Sequence, residues 1–185
     1  MSAFVRRIPE GDTRERLVCA VCGHVAYDNP KVVVGSVIGH DGKVLLCRRA
    51  IPPRIGFWTL PAGFLELGET IEEGARREAL EEACANIVLD GILAVYSISR
   101  IGQVQVIFRA RFAGDALFAA GAETAEVSLF AWHEIPWDAI AFPSVRWALE
   151  VWHANKEGAL GAPAANPPED LRGMRQLPAE GPVRP

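Results

Sequence analysis

The chain has no long hydrophobic run, few cysteines and no excess of positive charge. None of its apolar stretches reaches the roughly 20 residues that a membrane-spanning helix needs. Its first residues include two arginines with no hydrophobic stretch behind them, unlike a signal peptide. The formal net charge of -4 provides no global positive field for nucleic-acid phosphates. We therefore expect no membrane insertion, no nucleic-acid partner and a cytoplasmic location.

The cysteines do not form the framework of a small disulfide-rich protein. Only four are present in 185 residues, and their spacing does not indicate paired bridges. The apolar fraction of 50% and the chain length are typical of a folded domain with a core of its own.

The hydrophobic pattern predicts a mixed sheet with two helices. Residues 31–38 and 43–49 are expected to form a hairpin around the turn dipeptide Asp41-Gly42. A short strand is expected at 57–60, and longer ones at 87–98, 103–113 and 127–133. Helices are predicted at 71–85 and 144–154. This order of elements favours an α+β sandwich over alternating βαβ units.

The first predicted helix carries an unusual acidic face. Thr70 is the expected N-cap, and Glu73 is spaced to reach back to it in a capping box. At ~3.6 residues per turn, one face presents three glutamates: Glu78, Glu81 and Glu82. Most acidic runs of this kind are simply solvated surfaces. The helix spacing alone therefore leaves the purpose of these glutamates open.

The loop before this helix favours a cation site. Residues 60–69 are rich in proline and glycine, and Gly63 allows backbone carbonyls to approach a ligand closely. Magnesium prefers carboxylate and carbonyl oxygens. A loop carbonyl together with three carboxylates on one helix face is thus a plausible ligand set for a divalent cation.

The same residues resemble the Nudix box. The box runs from Gly63 through Glu69 to the Arg-Glu-x-x-Glu-Glu pattern that begins at Arg77. The resemblance implies the Nudix fold, classed as α/β (α+β), with a mixed β-sheet sandwiched between helices. One position departs from the pattern, because Cys84 stands where the box usually has glycine. This departure concerns the turn at the end of the helix and not the carboxylate face.

The resemblance also implies roles for individual residues. It implies hydrolysis of a diphosphate bond with Mg²⁺ or Mn²⁺ as cofactor, and Arg77 as the residue that orients a glutamate. A further carboxylate is expected from a later loop, with Glu123 as first choice and Glu126 as second. The implied metal ligands are Glu78, Glu81, Glu82, Gly63 through its loop, and Glu123. The implied catalytic set is Glu82, Glu81, Glu78, Arg77 and Glu123.

Segments outside the box resemble a group of Nudix enzymes that hydrolyse FAD and ADP-ribose. These segments include Tyr27–Gly35 and Trp58–Gly63. A small nucleotide is therefore the expected partner, and ADP-ribose or FAD the expected substrate. Arginines near the loop are candidates for phosphate contacts, and three aromatic residues for base stacking, although each has an ordinary surface or core role as its alternative. The candidate substrate-binding residues are Arg48, Arg49, Arg54, Phe57, Trp58, Trp132 and Glu126.

The pair Cys19 and Cys22 resembles one half of a zinc ribbon. Structural zinc requires four ligands, and residues 1–18 contain no second Cys-x-x-Cys. We therefore expect no structural zinc, although His24 or a partner chain would be possible sources of further ligands.

The resemblance divides the chain into three parts and leaves three alternatives for its function. The parts are an N-terminal segment at 1–30, a Nudix hydrolase domain at 31–155 and a tail at 156–185. Six of the 13 prolines fall in this tail, which is predicted to be an extended arm or disordered.

The alternatives for the function are a pyrophosphatase for NADH or another dinucleotide, a non-catalytic nucleotide-binding regulator, and a nucleic-acid adaptor. A homodimer is implied by the family.

Overall fold

In the computed structural model, which describes residues 3–156 and 158–176, the hairpin predicted at Asp41-Gly42 is present. It joins strand β4 (Lys31–His40) to strand β5 (Lys43–Arg49). Asp41 and Gly42 have φ angles of 47° and 74°, the positive values that a tight hairpin turn requires. The turn therefore sets the register between the two strands.

The hairpin belongs to a seven-stranded sheet of mixed direction. Its main order is β10-β5-β4-β9-β8, with β6 beside β5 and β7 beside β4. Strands β4 and β9 run parallel, whereas the other pairs are antiparallel. The remaining strands are β6 (Trp58–Thr59), β7 (Ala62–Phe64), β8 (Ile87–Ile98), β9 (Gln103–Phe112) and β10 (Thr124–Ala131).

Two helices cover opposite faces of this sheet. Helix α1 (Ile71–Ala83) packs with the side of β5 that presents Leu45, and helix α2 (Pro143–Asn155) with the side that presents Leu46. Successive residues of a strand point to opposite faces, so the apolar run of β5 supplies both cores. The predicted sheet between helices is confirmed.

The ends of α1 explain both the predicted cap and the unusual cysteine. The Thr70 hydroxyl accepts a hydrogen bond from the Glu73 N–H at 3.2 Å, and the Thr70 N–H donates to the Glu73 carboxylate at 2.8 Å. At the other end Cys84 takes the left-handed conformation, with φ 49° and ψ 28°. Glycine adopts that conformation most easily. The departure at Cys84 therefore changes the residue but not the turn.

The residues up to Pro30 form a compact unit of their own. Within it, β1 (Phe4–Arg7), β2 (Arg16–Cys19) and β3 (Val25–Ala26) make a three-stranded antiparallel sheet. The second unit begins at Lys31. No helix in the described part of the chain is long and apolar enough to cross a membrane.

The tail is ordered where it is described. Residues 158–176 contain neither an α-helix nor a strand, as predicted, but they run along β8. Ala164 accepts a hydrogen bond from the Val95 N–H at 2.8 Å and donates one to Leu93 at 3.0 Å. In the described stretch the tail thus pairs with the edge strand β8 through single backbone contacts. Residues 157 and 177–185 of the predicted tail lie outside the described residues.

Candidate active site

Helix α1 presents its glutamates to two different environments. The side chains of Glu78 and Glu82 are almost buried, since these residues are 7% and 8% exposed. Their spacing of four residues places them on the same side of the helix. Glu81 is on the neighbouring, solvent-facing side, with a side chain that is 58% exposed.

Arg77 connects the acidic residues of the helix and the loop. Its guanidinium makes a two-pronged contact with the Glu69 carboxylate, at 3.0 and 2.7 Å. One of its nitrogens also donates to Glu78 at 2.6 Å and to Glu81 at 3.0 Å. The hydrogen bonds from Arg77 lower the pKa of the Glu69 carboxyl to about 2. Arg77 therefore fixes the position of the glutamates, as only a forked, permanently charged side chain does.

The glycine loop lies directly against the buried carboxylates. The Ala62 N–H donates to the Glu82 carboxylate at 3.0 Å. A Cβ atom on Gly63 would lie 2.3 to 2.5 Å from the carboxylate atoms of Glu78, a distance that no real contact tolerates. Glycine at position 63 therefore lets the loop backbone come this close to Glu78 without displacing its carboxylate, which Arg77 holds.

The two buried glutamates are held at a cost that a cation would relieve. Burial raises the pKa of Glu82 to about 7, although the Ala62 N–H acts in the opposite direction. Burial also raises the pKa of Glu78, against the effect of Arg77. The negative charge of Glu78 further raises the pKa of Glu82, and the charge of Glu81 further raises the pKa of Glu78. A bound divalent cation is the partner that would favour the ionised forms.

Glu123 lines the same cleft as the helix glutamates. Its charge contributes to the raised pKa values of Glu78 and Glu82. The loop that carries it is attached to the end of α1, because the Gly121 N–H donates to the Glu82 carbonyl at 3.1 Å. The structure thus brings the first-choice loop carboxylate to the helix face.

A cleft of about 740 Å³ runs from these carboxylates across the sheet. At one end, here called the glutamate end, it is lined by Gly63, Glu78, Glu81, Glu82 and Glu123. At the other, here called the tail end, it is lined by Ile98, Arg100, Gln103, Gly173 and Arg175. The volume is typical of pockets for small ligands.

Several predicted substrate contacts are engaged elsewhere. Phe57 and Trp58 are core residues, 4% and 9% exposed. Arg48 pairs with Glu126 at 3.1 Å across β5 and β10. The Arg54 guanidinium lies 4.9 Å from the centre of the Phe57 ring. None of these residues lines the cleft, so their roles in substrate binding stay predictions that the geometry does not favour.

Of two other residues named from the sequence, one lies away from the cleft and one lines it. Trp132 stacks on the His153 ring at 3.9 Å and does not line the cleft. Arg49 does line it, with its guanidinium held by the carbonyl groups of Pro53 at 2.7 Å and Ile51 at 3.4 Å. Arg49 is therefore the loop arginine best placed to meet a ligand.

The donor groups at the glutamate end fit a divalent cation. Carboxylates and loop carbonyls are the oxygen ligands that Mg²⁺ prefers, and Glu82 accepts its hydrogen bond from a backbone N–H, not from a cationic side chain. Within residues 3–156 and 158–176, no three acidic, histidine or cysteine side chains converge as a complete metal site. Arg77 takes up the charge of Glu78 and Glu81 instead. Glu78, Glu81 and Glu82 are the carboxylates that would hold a cation there.

The cysteine pair forms the knuckle of a zinc ribbon without its second half. The Cys19 carbonyl accepts from the Gly23 N–H at 2.9 Å, which closes the turn. Backbone N–H groups of Cys22 and Val21 hold the pKa of the Cys19 thiol below its ordinary value. Two sulfurs do not satisfy the four-ligand site of structural zinc. The expected absence of zinc stays a prediction.

With this fold and this site in view, comparison with known proteins identifies the class. The NUDIX domain family matches residues 28–148, and the Nudix N-terminal family matches residues 2–28. The chain therefore belongs to the Nudix family. A solved NUDIX hydrolase from Nitrosomonas europaea is 46% identical, covers 88% of this chain and 91% of its own, and superimposes with a TM-score of 0.81.

Curated relatives match over shorter stretches. An ADP-ribose pyrophosphatase of Methanocaldococcus jannaschii is 42% identical over 71 residues, which are 38% of this chain and 42% of the relative. A MutT-like protein of Streptomyces ambofaciens is 40% identical over 82 residues, which are 44% of this chain and 51% of the relative. The chain thus spans about half the length of these relatives.

Sequence reasoning missed the arginines of the tail end. Arg100 follows β8 in a short 3₁₀ turn, and Arg175 lies in the proline-rich tail. No motif or periodicity marks either of them. Their place in the cleft depends on how the tail docks, a contact between segments about 75 residues apart in the chain.

Proposed function

We propose that this protein is a divalent-cation-dependent pyrophosphatase that cleaves the diphosphate bond of a nucleoside diphosphate derivative. The observation that carries the proposal is the pair of buried carboxylates, Glu78 and Glu82, packed against the glycine loop at one end of a cleft. Burying two acids side by side is costly unless a cation balances them.

The residues of the glutamate end have separate tasks in this reaction. Glu78, Glu81 and Glu82 hold Mg²⁺ or Mn²⁺, together with a carbonyl of the loop at Gly63. The bound cation neutralises the diphosphate and makes a water molecule more acidic. Arg77 keeps the glutamates in position, and Glu69 keeps Arg77 in position.

Glu123 is the proposed additional carboxylate. It lines the same cleft as the helix glutamates and lies near enough to influence the pKa values of Glu78 and Glu82. A carboxylate in that place is suited to accept a proton from the attacking water. Glu126 is a weaker choice, because its side chain pairs with Arg48.

ADP-ribose or FAD is the proposed substrate. The cleft extends well beyond the carboxylates, so that a substrate with groups on both sides of the diphosphate fits it. The name of the Methanocaldococcus jannaschii relative supports ADP-ribose, and the sequence segments outside the box support the FAD and ADP-ribose group. NADH or another dinucleotide is the runner-up. A non-catalytic regulator would be expected to lack the box glutamates, which this chain retains.

A substrate panel with product identification tests this proposal. The purified full chain is incubated with ADP-ribose, FAD, NADH and nucleoside triphosphates, with Mg²⁺ or with a chelator in excess. The expected result is cation-dependent cleavage of the diphosphate bond, which releases AMP from ADP-ribose or FAD. Cleavage confined to nucleoside triphosphates would contradict the proposed substrate class. If no compound is cleaved, the proposal that the protein is a pyrophosphatase is contradicted.

A further inference from the structure

The described part of the tail is fastened to the end of β8 by specific contacts. The Asn166 side chain accepts from the Ser97 N–H at 2.7 Å and donates to the Ser97 carbonyl at 2.9 Å. The Ser99 N–H donates to the Arg172 carbonyl at 2.9 Å. These contacts replace the hydrogen bonds that a further strand would make at this exposed edge.

Two further features fix the path of the tail after these contacts. Gly173 has a φ of +61°, and a Cβ there would lie 2.6 Å from the Ser97 carbonyl oxygen. Asp170 is 7% exposed, and its carboxylate accepts from the N–H groups of Met174 at 2.7 Å and Arg175 at 2.9 Å. The backbone of Arg175 is therefore held in one place beside the cleft.

The arginines of the cleft differ in what they contact. The side chains of Arg77 and Arg49 are occupied by carboxylates and by backbone carbonyls respectively. The side chains of Arg100 and Arg175 make no hydrogen bond or ion pair with the part of the chain that the structure describes, although both line the cleft. The tail end thus offers two guanidinium groups with unused donors.

The distance between the two ends matches a two-part substrate. Gly63 in β7 pairs with β4, which pairs with β9, which in turn pairs with β8. Three strand spacings of ~4.8 Å place β8 about 14 Å from the glycine loop. A diphosphate alone is too short to reach from the glutamate end to the tail end.

We propose that Arg175, positioned by the docked tail, is a substrate-binding residue. Together with Arg100, it contacts the part of the substrate that extends beyond the diphosphate toward the tail end of the cleft. The ligand chemistry is a nucleoside diphosphate derivative with phosphate, hydroxyl or base acceptors beyond the bond that is cut. This inference rests on the proposed function for its choice of ligand, and it assigns part of the recognition to a segment outside the matched NUDIX domain.

Calorimetric binding to the full chain, with Ca²⁺ in place of Mg²⁺ to limit turnover, tests this assignment. The probes are ADP-ribose, which spans the cleft, and inorganic pyrophosphate, which occupies the glutamate end alone. Arg175→Ala is compared with Arg172→Ala, a matched variant three residues earlier whose side chain is exposed and does not line the cleft.

Arg175→Ala is expected to weaken ADP-ribose binding about five- to tenfold, the scale of one ordinary hydrogen bond, and to leave pyrophosphate binding within about twofold. Arg172→Ala is expected to change neither, and Arg175→Lys to restore part of the affinity. The inference is overturned if Arg175→Ala and Arg172→Ala have the same affinities for both ligands, or if Arg175→Ala binds ADP-ribose and pyrophosphate with equally reduced affinity. It is also overturned if the wild-type chain binds pyrophosphate but not ADP-ribose. In any of these cases the proposed function still stands if the wild-type chain hydrolyses a compound of the substrate panel. If the wild-type chain hydrolyses no compound of that panel, the proposed function itself is contradicted.

Discussion

The two ends of the cleft are built in different ways. At the glutamate end, a capped helix and a glycine loop place charged groups that are buried, hydrogen-bonded and close together. At the tail end, a segment without regular structure is held to a strand edge by a few side-chain contacts. Under the proposed function, the catalytic groups lie at the rigidly held end and the substrate-binding arginines at the end that is held by fewer contacts.

Among the changes that test the comparison of the two ends, the largest effect is expected from one that separates the glycine loop from Glu78. Gly63→Ala places a Cβ within 2.3 to 2.5 Å of the Glu78 carboxylate, so that the loop or the glutamate must move. A displacement of about 1 Å costs on the order of 100-fold in rate. We therefore expect kcat for the panel substrate to fall by about 100-fold, measured by steady-state kinetics.

Gly114→Ala is the matched control for this variant. A Cβ on Gly114 has nothing within 4 Å, so the substitution adds the same methyl group without a clash. It is expected to retain the wild-type rate. Wild-type activity in Gly63→Ala would show that the close approach of the loop to Glu78 is not needed for the reaction.

A smaller effect is expected on the stability of the cation-free protein. Burial raises the pKa of Glu82 to about 7 from its ordinary value of 4.5. The folded state therefore binds more protons than the unfolded state between these pH values, and by linkage the free energy of unfolding falls as pH rises through this window. At about 1.4 kcal/mol per pKa unit, the fall attributable to Glu82 is about 3.5 kcal/mol over the whole window and about 2–3 kcal/mol between pH 5 and pH 8.

Denaturant unfolding at pH 5 and pH 8, with a chelator present, measures this effect. Glu82→Gln removes the titrating group and is expected to reduce the fall, whereas Glu150→Gln, an exposed residue of α2, is expected to keep it. Mg²⁺ is expected to restore stability at pH 8 in the wild-type chain. An unchanged pH dependence in Glu82→Gln would contradict the burial of that charge.

The smallest effect is expected at the tail end. Gly173→Ala forces a side chain into the left-handed region and against the Ser97 carbonyl, which loosens the tail from β8. We expect KM for ADP-ribose to rise about three- to tenfold, equivalent to about 0.7–1.4 kcal/mol, with kcat little changed. Hydrogen exchange at the Ser99 amide, which donates to Arg172, is expected to become faster.

Gly158→Ala separates the clash from the backbone strain. Gly158 also has a positive φ, of +98°, but a Cβ there has nothing within 4 Å. Gly158→Ala therefore places a side chain on a residue of positive φ, as Gly173→Ala does, but without a clash against β8. It is expected to leave KM for ADP-ribose near the wild-type value. If both variants raise KM equally, the specific contact of Gly173 with Ser97 has no part in binding.

The glutamate end was largely predictable from the sequence because its geometry is local. A capping box, a helix period and a glycine within about 20 residues suffice to place Thr70, Gly63 and the three glutamates. The hairpin at Asp41-Gly42 was predictable for the same reason. The fold class followed, and the family comparisons confirm it.

The tail end was not predictable because its contacts join distant parts of the chain. Proline and glycine content indicated an extended arm but gave no docking site for it. Among the aromatic candidates for base stacking, Phe57 and Trp58 precede the glycine loop in the sequence, and the fold buries both in the core. Burial depends on the whole fold, which the pattern of a single segment does not contain.

Hydrolysis of ADP-ribose by the wild-type chain and by Glu82→Gln tests the central claim most directly. Both are assayed at equal concentration with Mg²⁺, AMP release is followed, and Glu150→Gln serves as a control for the loss of a carboxylate. The account predicts rapid AMP release by the wild-type chain and by Glu150→Gln, and a loss of about 100-fold or more in Glu82→Gln, the scale expected when a group that stabilises the transition state is removed. Near-normal AMP release by a folded Glu82→Gln variant would contradict it.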